Sequence, residues 1–227
     1  MYPTIIIPSI HEELCKKARS FFPEEWPVIV KNGHPLIHFN QLRTLDIKTK
    51  WAINLDEDCF IINAPGVLKL IDFMEQNGYQ TAGIQDGSSN LRVHNPVIFN
   101  PFFFVFDVAA LQSAPTTSVA ILEESPKYEH FVRYTHLPYK YDNCEPYYPF
   151  FMDMLVAGLK PLFLRNHALE AYDPGPYDIG KPSIVLDEDG NELAVHAWWS
   201  RLYHEPIIQE RIRVCEEYAI TASNANR

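Results

Sequence analysis

The sequence predicts an α/β fold, a mixed but mainly parallel sheet of Rossmann type flanked by helices. Three observations carry this. Short runs of strand character alternate with segments of helical spacing through the first sixty residues, which is how parallel strands joined by crossover helices read. One of those runs, Trp51-Ala52-Ile53-Asn54-Leu55, stops abruptly at Asp56-Glu57-Asp58, as a buried strand does where it leaves the core. No Gly/Ser- or Pro-rich linker divides the chain, and 227 residues with 47% hydrophobic content suffice for one sizeable core.

In chain order, residues 4–7 are expected to form a short buried strand and 11–22 a helix packed on it. Residues 28–31 form a second strand ended by Asn32-Gly33. Leu42, Leu45 and Ile47 give residues 40–50 helical spacing, and 51–55 are the third strand. Pro65 then opens a helix over residues 66–77, since proline suits the first turn, where no N–H is needed. Strands are expected at 81–84, 96–106 and 159–164, and a helix over 147–157 ended by Gly158. Residues 134–148, rich in Tyr and Pro, read as an ordered loop. Residues 206–218 have helical character, and 219–227 read as a frayed tail. The expected organisation is one domain, 1–227, with a first half over 1–62, a second over 63–205 and a C-terminal helix and tail over 206–227.

Composition excludes several functions. A formal net charge of -10 without a basic stripe argues against a nucleic-acid partner. The four cysteines are widely spaced without a Cys-x-x-Cys pair, which suggests neither a zinc knuckle nor a disulfide scaffold and fits a reduced, cytoplasmic setting. No basic, apolar leader follows Met1, and the aromatic cluster 101–110 is too short to cross a bilayer. Peripheral membrane contact is left open.

The chain carries the letters Asp-Glu-Asp twice. In Ile184-Val185-Leu186-Asp187-Glu188-Asp189-Gly190-Asn191, turn residues follow at once, and apolar runs on both sides predict a hairpin. The first triplet has no turn residues and resumes as Cys59-Phe60-Ile61-Ile62. In an extended chain Asp56 and Asp58 project to one side and can share a hard divalent cation, which would remove the repulsion of three adjacent carboxylates and attract a diphosphate. A solvated acidic turn is the other reading.

Four features recur in order: Ile5-Ile6-Ile7-Pro8-Ser9, Leu55-Asp56-Glu57-Asp58, an acidic approach to the helix ending in Ala157-Gly158, and His196-Ala197-Trp198-Trp199-Ser200-Arg201. Together they resemble the nucleotide-sugar glycosyltransferases of the GT-A fold, whose hallmark is Asp-x-Asp at a strand end. The resemblance implies transfer of a sugar from a nucleotide-diphosphate donor, a UDP-sugar by default, to a hydroxyl of a saccharide or glycoconjugate. It makes Asp58 a direct ligand of Mn²⁺ or Mg²⁺, Asp56 a ligand of the metal or the donor ribose, and His196 the third protein ligand, with His204 competing for that place. Arg201 would put a permanent cation on the diphosphate. Pro8 and Ser9 would face the base and ribose, and Asn40 and Arg43 the donor. Glu145, then Asp142 and Asp153, are the candidates for the base that takes the acceptor proton, helix capping being the alternative for Glu145. Tyr139, Tyr141, Tyr147 and Tyr148 either stack on sugars or belong to the core, and Phe102-Phe103-Phe104 reads as buried strand.

Only 55 residues precede Asp56, fewer than in most enzymes of this fold, so the nucleotide-binding half is expected to be shortened. Two other classes compete. A metal-dependent nucleotidyltransferase or phosphohydrolase also uses paired carboxylates, but Ser9-Ile10-His11-Glu12-Glu13 is no basic Gly-rich phosphate loop, and Cys59-Phe60 offers no hydroxyl after the second carboxylate. A glycan-binding scaffold of the same fold would bind without turnover.

Overall fold

The computed structural model describes residues 2–33, 35–86, 97–116, 145–173 and 180–225. Within them the chain runs β1 (Thr4–Ser9), α1 (Glu12–Arg19), β2 (Val28–Asn32), α2 (Pro35–Leu42), β3 (Trp51–Leu55), β4 (Cys59–Ile61), α3 (Ala64–Asn77), β5 (Thr81–Gln85), β6 (Phe99–Asp107), α4 (Val108–Ser113), α5 (Tyr148–Val156), β7 (Pro161–Ala168), β8 (Ser183–Leu186), β9 (Glu192–His196), a 3₁₀ turn (Ser200–Leu202) and α6 (Pro206–Ala225).

The nine strands lie in the order β2-β1-β3-β6-β5-β7-β8-β9-β4. This order forces the sheet to curl. β3 and β4 stand six strand spacings apart, about 29 Å in a flat sheet, yet only residues 56–58 join them, and four peptide units span at most about 14 Å. The β7–β8–β9–β4 portion therefore folds back toward β3, and the acidic triplet sits where the two meet.

Alternation along the strands sorts the core into two layers. Ile5, Ile7, Ile53, Leu55, Phe103 and Val105 pack on one side with buried residues of α1, α3 and α6. Ile6, Ala52, Phe104 and Phe106 pack on the other with α2, α4 and α5. α6 contributes Ile208, Ile212, Cys215 and Ala219, one stripe at helical spacing. α5 is buried nearly all round, and Phe39, Phe99 and Phe104 all lie against its Phe151 ring.

The α/β architecture with flanking helices is as expected, but the sheet is not mainly parallel. β1 pairs in parallel with β2 and β3, and β5 with β7; the other five pairings, including β6 between β3 and β5, are antiparallel. The helix expected over 40–50 ends at Leu42. Burial alternates residue by residue from Leu45 to Lys50, the pattern of extended chain, so Leu45 and Ile47 reach the second layer without a helix. The C-terminal helix continues to Ala225 instead of fraying after 218. Other expectations hold. Pro65 stands in the first turn of α3, which Asn63 caps by accepting from Gly66 N–H at 2.8 Å. α5 stops at Gly158, whose φ of +83° suits glycine. The second acidic triplet is the β8–β9 hairpin: Asp187 Oδ1 accepts from the N–H groups of Asp189 and Asn191, and Gly190 takes φ +92°. No helix among the described residues is long and apolar enough to cross a membrane.

Candidate metal centre

The first acidic triplet is built as a turn between two buried strands. Asp56 N–H donates to Phe102 O at 3.0 Å, carrying the β3–β6 pairing one residue past β3, and Cys59 N–H donates to Asp56 O at 3.0 Å, closing the turn. The three carboxylates then part company. Glu57 turns toward the end of β1, where its Oε2 accepts from Ser9 Oγ at 2.7 Å, Ile10 N–H at 3.1 Å and His11 N–H at 2.9 Å. It thus neutralises free donors at the amino end of α1, where negative charge is favoured. Asp56 and Asp58 go together, as expected, although a turn and not an extended strand brings them there.

His196 reaches them through sheet register. It closes β9 directly opposite Cys59 of β4, one residue beyond Asp58. Potential ligand atoms of Asp56, Asp58 and His196 all lie within 4.8 Å of one another, and His196 Nε2 is 3.1 Å from Asp58 Oδ1. The imidazole is held flat against Phe102, with centroids 4.0 Å apart and planes at 17°, and Trp198 lies 4.4 Å away on a tilt. His196 and Asp58 are 3% and 1% exposed, while Asp56 keeps part of its surface open to solvent. The cluster is therefore anchored below and approachable at Asp56.

These residues fit a divalent cation. Asp56 Oδ1 is a buried atom with no hydrogen-bond partner, and a carboxylate oxygen can only accept. Burial, then the charges of Asp58 and Glu57, push the Asp56 carboxyl well above the usual carboxylate range. Two carboxylates and an imidazole suit Mn²⁺, with Mg²⁺ the harder alternative. Ligand atoms about 2.1 Å from an octahedral ion are about 3 Å apart when adjacent, as Asp58 and His196 are.

Behind His196 the chain makes a tight strap. Ala197 N–H donates to Asp58 O at 3.0 Å, and Ser200 N–H donates to Asp58 Oδ2 at 3.2 Å. Between them Trp198 and Trp199 have φ of +67° and +72°. Left-handed backbone costs a bulky residue about 1–2 kcal/mol and persists where the surroundings over-determine it. Trp198 Nε1–H is tied to Ser183 Oγ at 2.9 Å, and α6 supplies a second anchor, Arg211, which is fully buried and donates through Nε to Ala197 O.

The other expected site residues are scattered. Arg201 follows the strap and stacks over Trp199 at 5.2 Å. Pro8 is buried in β1, and the hydroxyl of Ser9 is engaged by Glu57. Beside Ser9, a groove of about 590 Å³ opens between the carboxyl ends of β1 and β2 and helix α1, lined by Ile10, Cys15, Lys16, Arg19, Asn32 and Gly33 among others. His204 is exposed and pairs with its neighbour Glu205 at 3.2 Å. Asn40 is exposed on α2. Arg43 is bound to Asp153 at 2.8 Å, donates to Ala114 O and lies over the Phe150 ring, so Asp153 is committed to a buried ion pair. Glu145 is half-buried at the approach to α5, where its carbonyl accepts from Tyr148 N–H at 3.0 Å. Asp142, Tyr139 and Tyr141 lie outside the described residues, whereas Tyr147 and Tyr148 are core, 3% and 0% exposed.

Two features escaped the sequence reading. Asp86, 1% exposed just past β5, accepts from Tyr147 and Tyr148 hydroxyls and from Asn100 Nδ2, tying the start of α5 to the sheet. Its signal was available, an acid directly after a strand, as at Asp56. Arg211 also had one, a charge within the apolar stripe of α6.

No protein-family model and no curated protein matches the chain. Solved structures with a similar course include A197 from STIV, at TM-score 0.44 and 11% identity over 85% of this chain and 93% of that one. Mannosyltransferase PcManGT from Pyrobaculum calidifontis in complex with GDP-Man and Mn²⁺ gives 0.42 and 9% over 100% and 74%. Mouse xyloside xylosyltransferase 1 in its apo form gives 0.39 and 11% over 72% and 84%. At such identities and scores none of them decides what this chain does, and its own side chains must.

Proposed function

We propose that this protein is a metal-dependent glycosyltransferase that moves a sugar from a nucleotide-diphosphate donor to a hydroxyl of a saccharide or glycoconjugate. The observation that carries the reading is the convergence of Asp56, Asp58 and His196 from a strand-end turn and a distant strand, with the buried Asp56 Oδ1 left without a hydrogen-bond partner. Bound Mn²⁺ or Mg²⁺ would supply Lewis-acid charge that stabilises the departing nucleoside diphosphate.

The chain's residues supply the rest. Asp56 and Asp58 give carboxylate oxygens and His196 a ring nitrogen, in an orientation fixed by Phe102 stacking. The groove at the carboxyl ends of β1 and β2 takes the nucleoside. It is large enough, stands where α/β sheets gather ligands, and meets the acidic turn through the Ser9–Glu57 bond. Arg201, released from its stacking on Trp199, adds positive charge to the diphosphate. Glu145, outside the buried pair formed by Asp153 and Arg43, takes the acceptor proton as the new glycosidic bond forms. Arg43 has its partner in Asp153 and is assigned no part in donor binding.

The test is a thermal-shift panel of UDP, GDP, CDP and TDP with their common sugar conjugates, each with Mn²⁺ and with EDTA, followed by an assay for donor hydrolysis. A ligand that binds only the native state raises its melting temperature by mass action. The proposal expects a Mn²⁺-dependent shift with one nucleotide and slow release of its diphosphate. Metal-dependent binding without any turnover would instead identify a scaffold, and no shift with any nucleotide would overturn the donor assignment.

A further inference from the structure

Arg211 is an unusual residue to find in the middle of a packed helix face. It follows Ile208 by three positions and precedes Cys215 by four, so it occupies the buried stripe of α6, and it is 0% exposed. A guanidinium so placed must be held by acceptors, because loss of hydration at a buried charge is costly. Two main-chain carbonyls are among its acceptors. Nε donates to Ala197 O and Nη1 to Gly180 O, while the Tyr172 ring lies 5.1 Å from the guanidinium carbon.

Ala197 is where the candidate metal centre is hung. It follows His196 directly, its N–H holds the Asp58 carbonyl, and the next two residues are the left-handed pair Trp198 and Trp199. Ser200 then returns its N–H to the Asp58 carboxylate. A strap with two strained residues keeps this course only while both ends are fixed. Asp58 holds both ends, Ser200 through its carboxylate and Ala197 N–H through its carbonyl, and Arg211 adds a hold on the Ala197 carbonyl, reaching across from α6 to the residue that follows the third ligand.

We propose that Arg211 is a positioning residue for the cation site: its forked guanidinium locks Ala197 and thereby sets the His196 ring and the Ser200 N–H relative to Asp58. The inference rests on the cation reading of Asp56, Asp58 and His196. Lysine retains the charge but loses the planar fork, so it cannot hold the Ala197 and Gly180 carbonyls in the same geometry.

The experiment compares wild type, Arg211→Lys, Trp199→Gly and the double variant in the full chain. Mn²⁺ affinity is measured by loss of the free-ion EPR signal, and Ser200 amide exchange by NMR in EDTA. Arg211→Lys is expected to weaken Mn²⁺ binding about 10–100-fold, the range for partners that orient a ligand, and to speed Ser200 exchange at least tenfold. Glycine adopts left-handed backbone without strain, so Trp199→Gly should recover part of the lost affinity in the double variant, a coupling that loss of packing would not give. Unchanged Mn²⁺ affinity in Arg211→Lys overturns the proposal even if its melting temperature falls, because Arg211 is then only structural. Should Arg211→Lys fail to fold, Tyr172→Leu loosens the guanidinium from its other face, and wild-type affinity there overturns the proposal equally. If the wild type itself binds no Mn²⁺, the cation reading fails separately, and unchanged Ser200 exchange in Arg211→Lys removes the positioning claim on its own.

Discussion

Replacing Asp56 by asparagine should change stability in opposite directions with and without metal. Without metal, Asp56 and Asp58 oppose one another at no more than 4.8 Å. Two unit charges at that distance repel by about 3.5 kcal/mol at an effective dielectric constant near 20, and solvent reaching Asp56 reduces this to roughly 2 kcal/mol. Asp56→Asn removes that cost. For a domain of this length about 1 kcal/mol corresponds to about 2–4 °C, so in EDTA the variant should melt about 4–8 °C above wild type. With Mn²⁺ at a hundred times its Kd, wild type should gain about 2.7 kcal/mol, and the variant, missing a ligand, much less, so the order of melting temperatures reverses. The pH dependence has a definite sign. Burial and neighbouring carboxylates raise the Asp56 pKa in the folded state, so its contribution is fully present below the unfolded value near pH 3.9 and is lost as pH climbs through the raised folded value. In EDTA the advantage of Asp56→Asn should therefore be smallest in acid and grow with pH. Differential scanning fluorimetry across pH, with EDTA and with Mn²⁺, reads all of this. A variant less stable than wild type in EDTA at neutral pH, or one stabilised equally by Mn²⁺, would refute the reasoning.

Two further substitutions separate the candidate site from the scaffold. Asp187→Ala should unfasten Asp189 and Asn191 in the β8–β9 turn and cost about 1–3 kcal/mol; Mn²⁺ should still stabilise this variant as much as wild type, and a lost metal response would mean that the second acidic triplet also contributes to the site. Arg43→Met leaves the Asp153 carboxylate 3% exposed beside an apolar chain, and breaking such a pair costs about 3–5 kcal/mol. Urea unfolding should show that loss and recover most of it in Arg43→Met combined with Asp153→Leu, whereas a loss under 1 kcal/mol would show that the pair is not the buried contact described.

What the sequence made legible was local. Ile5-Ile6-Ile7, Trp51 to Leu55 and the Asp187–Asn191 turn declare themselves because short apolar runs and turn chemistry are written in adjacent residues. Pro65 marks the start of α3 for the same reason. What was missed depends on partners far along the chain. β6 is buried on both faces, so Phe102-Phe103-Phe104 carries no mark of its direction, and its antiparallel insertion between β3 and β5 helps make the mixed sheet mainly antiparallel. Leu42, Leu45 and Ile47 sit at spacings of three and two, and the second spacing belongs to extended chain. The grouping of Asp56 and Asp58 in the candidate site was legible from their strand-end position, and that of His196 from the late motif. The division of labour within Asp56-Glu57-Asp58 was not, because Glu57 is claimed by N–H groups at the start of α1, nearly fifty residues earlier. The role of Arg211 was not legible, because its acceptors on Ala197 and Gly180 lie outside its own helix, although its place between Ile208 and Ile212 marks it as buried.

The most direct test of the account is electron spin-echo envelope modulation on the Mn²⁺-loaded protein, with wild type compared with Asp58→Asn and His196→Gln. The account predicts one tightly held ion per chain, a ¹⁴N modulation from a single coordinated imidazole that disappears in His196→Gln, and loss of the bound ion in Asp58→Asn. A Mn²⁺ spectrum without nitrogen coupling, or one that survives His196→Gln unchanged, would contradict it.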